Sequence, residues 1–243
     1  MDEKKDNIYA NKMVQVNDFS FDQTVVEVFD DMLSRSIPGY GAVLHQIGAM
    51  AKRFVMPNTN IYDLGCSLGA ATFSVRSCVD AVGCRIFAVD SSREMMDRFE
   101  RRLKRHVGVI PVSVECADIS DIIIENASLV IMNFTLQFID TEQKSSILKQ
   151  IYNGLQPGGA FLFSEKIVFE DAEEQVVQES LYYDLKRHNG YNDLEISQKR
   201  DALENVLKLE SPTRHQQRLK AAGFSEIYQW YRNLNFASFL AVK

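Results

Sequence analysis

The chain has 243 residues, of which 46% are hydrophobic, and a formal net charge of −6 at pH 7. That is enough apolar material for one sizeable core, while an acidic balance with no basic stripe argues against tight, direct nucleic-acid binding. The four cysteines show no C-x-x-C spacing, which speaks against a zinc or disulfide framework and for reduced thiols in the cytoplasm. The polar start over residues 1–6 predicts no secretory leader, and no apolar run reaches membrane-spanning length.

Residues 1–20 are polar and read as a flexible N-terminal segment ahead of a single domain over 21–243. Val25, Val28, Phe29 and Met32 share one helical face, and that helix must stop before Pro38. Val43, Ile47, Met50 and Phe54 mark a second helix, closed by Pro57. Strands are predicted at 60–65, 85–90, 112–117, 128–134 and 159–165, with helices near 69–80, 93–106 and 141–155. Asp140 and Gln143 have the spacing of a capping box for the last of these, and Pro157-Gly-Gly159 is expected to end it. Residues 170–210 break the alternation and read as a helical insertion with a solvated acidic start. Its first helix is predicted to turn Val177, Leu181, Leu185 and His188 to one face. Its second should turn Ile196, Arg200, Leu203 and Leu207 to one face, which sets an arginine in an apolar row. A helix near 213–222 and two closely spaced strands, a terminal antiparallel hairpin, complete the chain. The order is α/β, a mostly parallel seven-stranded sheet covered on both faces, with N-terminal helices.

The segment Asn60-Ile-Tyr-Asp-Leu-Gly-Cys-Ser-Leu-Gly69, followed by Ile86-Phe-Ala-Val-Asp90, carries the chemistry. An apolar strand enters a glycine turn, and a second strand ends in a carboxylate placed to hold a ribose diol. A dinucleotide site would need a Gly where Ser67 stands. A nucleophile elbow would need strands ahead of Gly65, where helices are predicted. An empty glycine turn is the plain alternative. The loop suits the S-adenosylmethionine site of the Rossmann-like class I methyltransferase fold, where an acidic residue precedes a single leading glycine.

Ser36-Ile-Pro-Gly-Tyr40, Tyr62-Asp-Leu-Gly-Cys-Ser-Leu-Gly-Ala-Ala-Thr72, Asn133-Phe-Thr-Leu-Gln-Phe138 and Asn189-Gly-Tyr-Asn-Asp-Leu-Glu-Ile-Ser-Gln-Lys-Arg200 together resemble the carboxy-S-adenosyl-L-methionine synthase family. The likeness runs from about residue 18 to the C-terminus. It implies that S-adenosyl-L-methionine and prephenate give carboxy-S-adenosyl-L-methionine and phenylpyruvate, without a metal. It also implies a homodimer, and a downstream tRNA-modifying enzyme that uses the product at the wobble uridine.

Carried over position by position, the resemblance implies that Tyr40, Gly65, Cys66, Ser67, Asp90, Ser91, Asp118, Ile119 and Asn133 contact the cofactor. Asp90 would accept both ribose hydroxyls, and Asp118 with the Ile119 amide would read the adenine edge. Asn133 would meet the methionine end. Asp118 could equally cap a turn, Asn133 could be a turn residue, and Cys66 reads as a packing residue. Arg200 is the implied catalytic residue, its fork binding the carboxylate of the product; the plainer alternative is an arginine whose stem covers the core. The proton acceptor for the sulfonium methyl is not legible, and His188 is a candidate only by its pKa range. The rival functions are a small-molecule methyltransferase and a non-catalytic binding protein. The first shares every cofactor residue but has no use for a cation beside the methyl group.

Overall fold

The computed structural model describes residues 4–243. Two helices, α1 (Gln23–Ser36) and α2 (Tyr40–Phe54), precede an alternating series. The series runs β1 (Asn60–Leu64), α3 (Ala70–Cys78), β2 (Arg85–Asp90), α4 (Arg93–Leu103), β3 (Val112–Cys116), β4 (Ala127–Asn133), α5 (Thr141–Gly154) and β5 (Leu155–Lys166). The insertion supplies α6 (Ala172–His188) and α7 (Asp193–Glu204). Then come α8 (Pro212–Ala222), β6 (Glu226–Asn233) and β7 (Phe236–Val242).

The sheet order is β3-β2-β1-β4-β5-β7-β6. The first five strands pair in parallel, and β7 enters antiparallel between β5 and β6. The expected terminal hairpin is therefore present, with its second strand inside the sheet and its first at the edge. Alternation along each central strand divides the core. Tyr62, Leu64, Val130, Met132, Phe161 and Phe163 face Ile147, Ile151 and Leu219 of α5 and α8. Ile61, Ile86, Leu129, Ile131 and Leu162 face Val43, Ile47 and Val75 of α2 and α3. Strands buried on both faces must be apolar throughout, and for that reason they read so plainly in the sequence. The predicted face of α1 is buried as well, against Met95, Met96 and Phe99 of α4.

The N-terminal segment, over its described part, packs on the insertion: Asp6 and Tyr9 are buried, and Asp6 accepts from Tyr191 Oη at 2.5 Å. Residues 1–3 of that segment lie outside the described residues. Three expectations about the helices are corrected. Asp140 makes no side-chain cap at α5; the reciprocal capping box forms instead at α7, between Asn192 and Glu195. The helix α5 ends at Gly154, before Pro157, and Pro157 with both glycines lies inside β5, where the pairing with β4 shifts register. Lastly, α6 turns most of its predicted apolar row outward. Val177, Leu181 and His188 are exposed and Leu185 is half-buried, while Tyr182 and Lys186 are buried.

Candidate active site

The carboxyl ends of β1, β2, β4 and β5 open into a cavity of about 450 Å³, roofed by α1, α2 and the insertion. Ligands in open α/β sheets bind at this edge, where strand ends and loop amides converge. After β1 the chain turns through Gly65, whose φ is +76°. A Cβ there would lie 2.2 Å from Thr135 Cγ2, so the position needs glycine for space as well as conformation. Both the Gly65 and Cys66 amides donate to the Val89 carbonyl, at 2.8 and 3.0 Å, which ties the loop to β2. Ser67 sits at φ +47° and donates its amide to Asp90 Oδ2 at 2.9 Å. A non-glycine residue in that region stores backbone strain, a common mark of a binding loop.

Asp90 ends β2 and accepts from Ser92 N through Oδ1 at 2.9 Å. Each oxygen thus holds one loop amide and retains acceptor capacity, and the residue lines the cavity. Burial raises the Asp90 carboxyl, and the Ser92 and Ser67 amides oppose that rise. One strand over, Asp63 is buried and accepts from Thr72 N at 3.0 Å and Thr72 Oγ1 at 2.6 Å. Burial pushes its carboxyl up to about 6 against those bonds. Asp63 lines the cavity.

Asp118 follows β3 and does cap a turn. Its Oδ1 accepts from Ser120 N at 2.8 Å and Ser120 Oγ at 2.6 Å, which holds the carboxyl below its ordinary range. It also lines the cavity beside Ile119, so capping and binding are compatible roles. Asn133 ends β4 with its Oδ1 buried and unpartnered among the described residues. A buried amide oxygen without a donor is costly, and a ligand N–H would satisfy it. The next residue, Phe134, adopts φ +61° and turns its ring toward Tyr40, 6.1 Å away. Tyr40 opens α2 after a left-handed Gly39. Burial holds its phenol above the ordinary value.

The structure therefore gathers Tyr40, Gly65, Cys66, Ser67, Asp90, Ser91, Asp118, Ile119 and Asn133 around one cavity. Cys66 is buried, and burial pushes its thiol well above the ordinary range, which disfavours the thiolate a nucleophile needs. Among the described residues no cluster of three His, Cys, Asp or Glu side chains could hold a metal. His188 is exposed on the insertion and does not line the cavity.

Arg200 is the main departure. Its side chain is 58% exposed and pairs with Asp201 at 3.0 Å, and it does not line the cavity of its own chain. The buried stripe of α7 is Glu195, Ile196, Gln198, Lys199 and Ala202, so Arg200 lies just off it. The expected row had the wrong phase because the helix buries polar residues. Lys199, one residue earlier, is the α7 cation that faces the cavity, joined there by Lys166 and Lys186. Sequence reasoning missed all three as site residues; Asp63 entered it only as the acidic residue ahead of Gly65. Lys166 carried one usable signal, since it ends β5 just as Asn133 ends β4. Lys186 and Lys199 carried none, lying off the apolar rows predicted for their helices.

Residues 61–159 match the family model described as a methyltransferase domain. The chain is 51% identical over its full 243 residues to the carboxy-S-adenosyl-L-methionine synthase of Shewanella baltica, and 50% to that of Shewanella piezotolerans, covering all of each. Among solved structures it resembles human N-acetylserotonin methyltransferase in complex with S-adenosylmethionine (TM-score 0.60, 19% identity). The alignment covers 91% of this chain and 55% of that one. Phosphoethanolamine N-methyltransferase 2 of Haemonchus contortus gives a TM-score of 0.59 at 16% identity, covering 92% of this chain and 57% of the other. These two likenesses speak for the fold, the class I methyltransferase architecture. The full-length identity to the synthases goes further: the chain belongs to the carboxy-S-adenosyl-L-methionine synthase family, transferases built on a methyltransferase-like domain.

Proposed function

We propose that this protein converts S-adenosyl-L-methionine and prephenate to carboxy-S-adenosyl-L-methionine and phenylpyruvate. The observation that carries the reading is the 51% identity to the synthases across the whole chain. The cavity supports it part by part. Asp90 offers two acceptor oxygens for a ribose diol, and Asp118 with the Ile119 amide offers the donor and acceptor of an adenine edge. Asn133 Oδ1 suits the methionine ammonium, and Gly65 lets backbone approach the same end. Prephenate supplies carbon dioxide and hydroxide as it aromatises to phenylpyruvate. The hydroxide takes a proton from the sulfonium methyl, giving water, and the carbon left behind joins carbon dioxide.

Arg200 is read as the fork for the new carboxylate, serving a neighbouring copy in a homodimer. Its exposure on α7 supports this, as do the exposed Val176, Val177 and Leu181 on α6 and Leu194 on α7, an apolar surface that a second copy would cover. The product would pass to a separate tRNA-modifying enzyme in the cytoplasm, which fits the net charge of −6 and the four free thiols here.

The test is mass spectrometry of purified protein supplied with S-adenosyl-L-methionine, with and without prephenate. Carboxylated product should form only with prephenate. Formation at the same rate from bicarbonate alone, or transfer of an unmodified methyl group, would overturn the reading.

A further inference from the structure

We propose that Lys166 and Lys186 form a carboxylate-binding subsite for the co-substrate, an apolar ring bearing two carboxylates; the inference rests on the carboxyl-transfer reading. Lys166 ends β5 and Lys186 lies on α6, and both face the cavity. They flank the Tyr182 ring, with ammonium groups 5.0 and 5.4 Å from its centroid. Lys186 is only 4% exposed. Among the described residues neither ammonium is paired with a carboxylate. Lys199, by contrast, is neutralised by Asp6 at 3.3 Å.

A buried cation without a counter-charge is expensive, and a protein keeps one where a ligand supplies the anion. Burial, then Lys199 and Lys166, push the Lys186 ammonium down to about 7, with Asp6 and Glu195 only partly opposing. Two cavity-facing lysines with no carboxylate in ion-pair contact among the described residues suit a ligand that brings two negative groups. The adjoining wall sets the rest of the ligand. Tyr182 packs edge-on against Phe236 at 5.3 Å, and Phe236 against Phe134 at 6.0 Å, all three lining the cavity. An aromatic wall beside two cations suits a six-membered ring with acidic substituents.

The methionine carboxylate of the adenosyl donor is the other source of such an anion. Its single charge leaves one lysine unbalanced, and the donor's own sulfonium adds a further cation. Lys166 also lies three strands from Asp90, roughly 14 Å across the sheet, beyond the Asn133 and Gly65 groups that meet the methionine end.

The experiment compares wild type with Lys166→Met, Lys186→Met and Lys186→Arg. It measures KM for prephenate, Kd for S-adenosyl-L-methionine by calorimetry, and thermal midpoint. Each methionine variant should raise KM for prephenate roughly ten- to a hundredfold while moving the donor Kd less than about twofold. The thermal midpoint should hold or rise, because an uncompensated charge has been removed. Lys186→Arg should recover part of the loss. An equal loss of donor affinity would assign the lysines to the methionine carboxylate and overturn the proposal. So would an unchanged KM in folded variants, or a fall in thermal midpoint with all parameters declining together. If wild type forms no product with prephenate, the functional reading fails. The subsite is then read by titrating phenylpyruvate: weaker binding to the methionine variants supports it, and equal binding overturns it.

Discussion

Replacing Asp90 by alanine tests the cofactor site at the point where loop geometry and ligand recognition meet. Its two oxygens already accept one amide each, from Ser67 and Ser92, both at 2.9 Å. The lone pairs left over are those that the ribose diol would use. A hydrogen bond to a charged acceptor contributes about 1.5–3 kcal/mol, so affinity for S-adenosyl-L-methionine should fall roughly ten- to a hundredfold. The variant also leaves two loop amides without their acceptor, and stability must be followed in parallel. Asparagine is no gentler here, because its Nδ2 would face one of those amides donor to donor. The cleaner measurement is a cycle pairing Asp90→Ala with a donor lacking the ribose 2′-hydroxyl, each affinity read by calorimetry. Wild type should discriminate against the deoxy ligand, and the variant should lose most of that discrimination. An unchanged affinity in the folded variant, or equal discrimination by both proteins, would remove Asp90 from the ribose.

Two further outcomes are expected. His215 is buried between Phe163 and Phe239, and neither ring nitrogen has a partner among the described residues. Burial lowers it to about 4. A depressed group contributes stability that is full above the unfolded value near 6.5 and is lost as pH falls through 4, about 3 kcal/mol in all. Urea unfolding between pH 7.5 and 4.5 should show this acid limb in wild type and a flatter one in His215→Phe; identical slopes would refute it. Arg200→Ala should fold normally yet lose on the order of 2–4 kcal/mol of preference for carboxylated over plain donor, with Arg200→Lys only partly restoring it. Equal losses for the two ligands would make Arg200 structural.

What was legible in the sequence follows from what each segment buries. The strands β1 to β5 are apolar on both faces, so composition alone marks them, and the groups at their ends could be named in advance. Gly65 and Asp90 were legible for the same reason: a left-handed turn and a carboxylate at a strand end have few other uses. The cap at α5 was misread because Asp140 and Gln143 satisfy the spacing but not the geometry. Asp140 contributes only its backbone carbonyl, which accepts from Gln143 N at 2.9 Å. In the N-terminal segment, polarity hid two long-range partners: the buried Asp6 is met by Tyr191 and Lys199, more than 180 residues away.

The insertion failed for a different reason, and the failure is informative. Periodicity assigns the apolar row to the core, since burial of apolar area is the default driving force. In α6 most of the row is turned out: Val177 and Leu181, with Val176 beside them, face outward, while Tyr182 and Lys186 face inward and Leu185 is half-buried. In α7 the inward stripe carries Glu195, Gln198 and Lys199. Such an arrangement forfeits hydrophobic stabilisation twice, once by exposing valine and leucine and again by burying ammonium groups. A fold keeps both costs only where something outside the chain repays them. On the proposed reading the inner face is repaid by a dianionic co-substrate and the outer face by a second copy. The two repayments are separable. Lys186→Met should relieve the inner cost without altering assembly, and Val177→Lys should weaken assembly without altering the charge of the cavity. Sedimentation of both variants decides the point: a monomer produced by Lys186→Met, or a dimer untouched by Val177→Lys, would show that the two faces are not the independent devices inferred here.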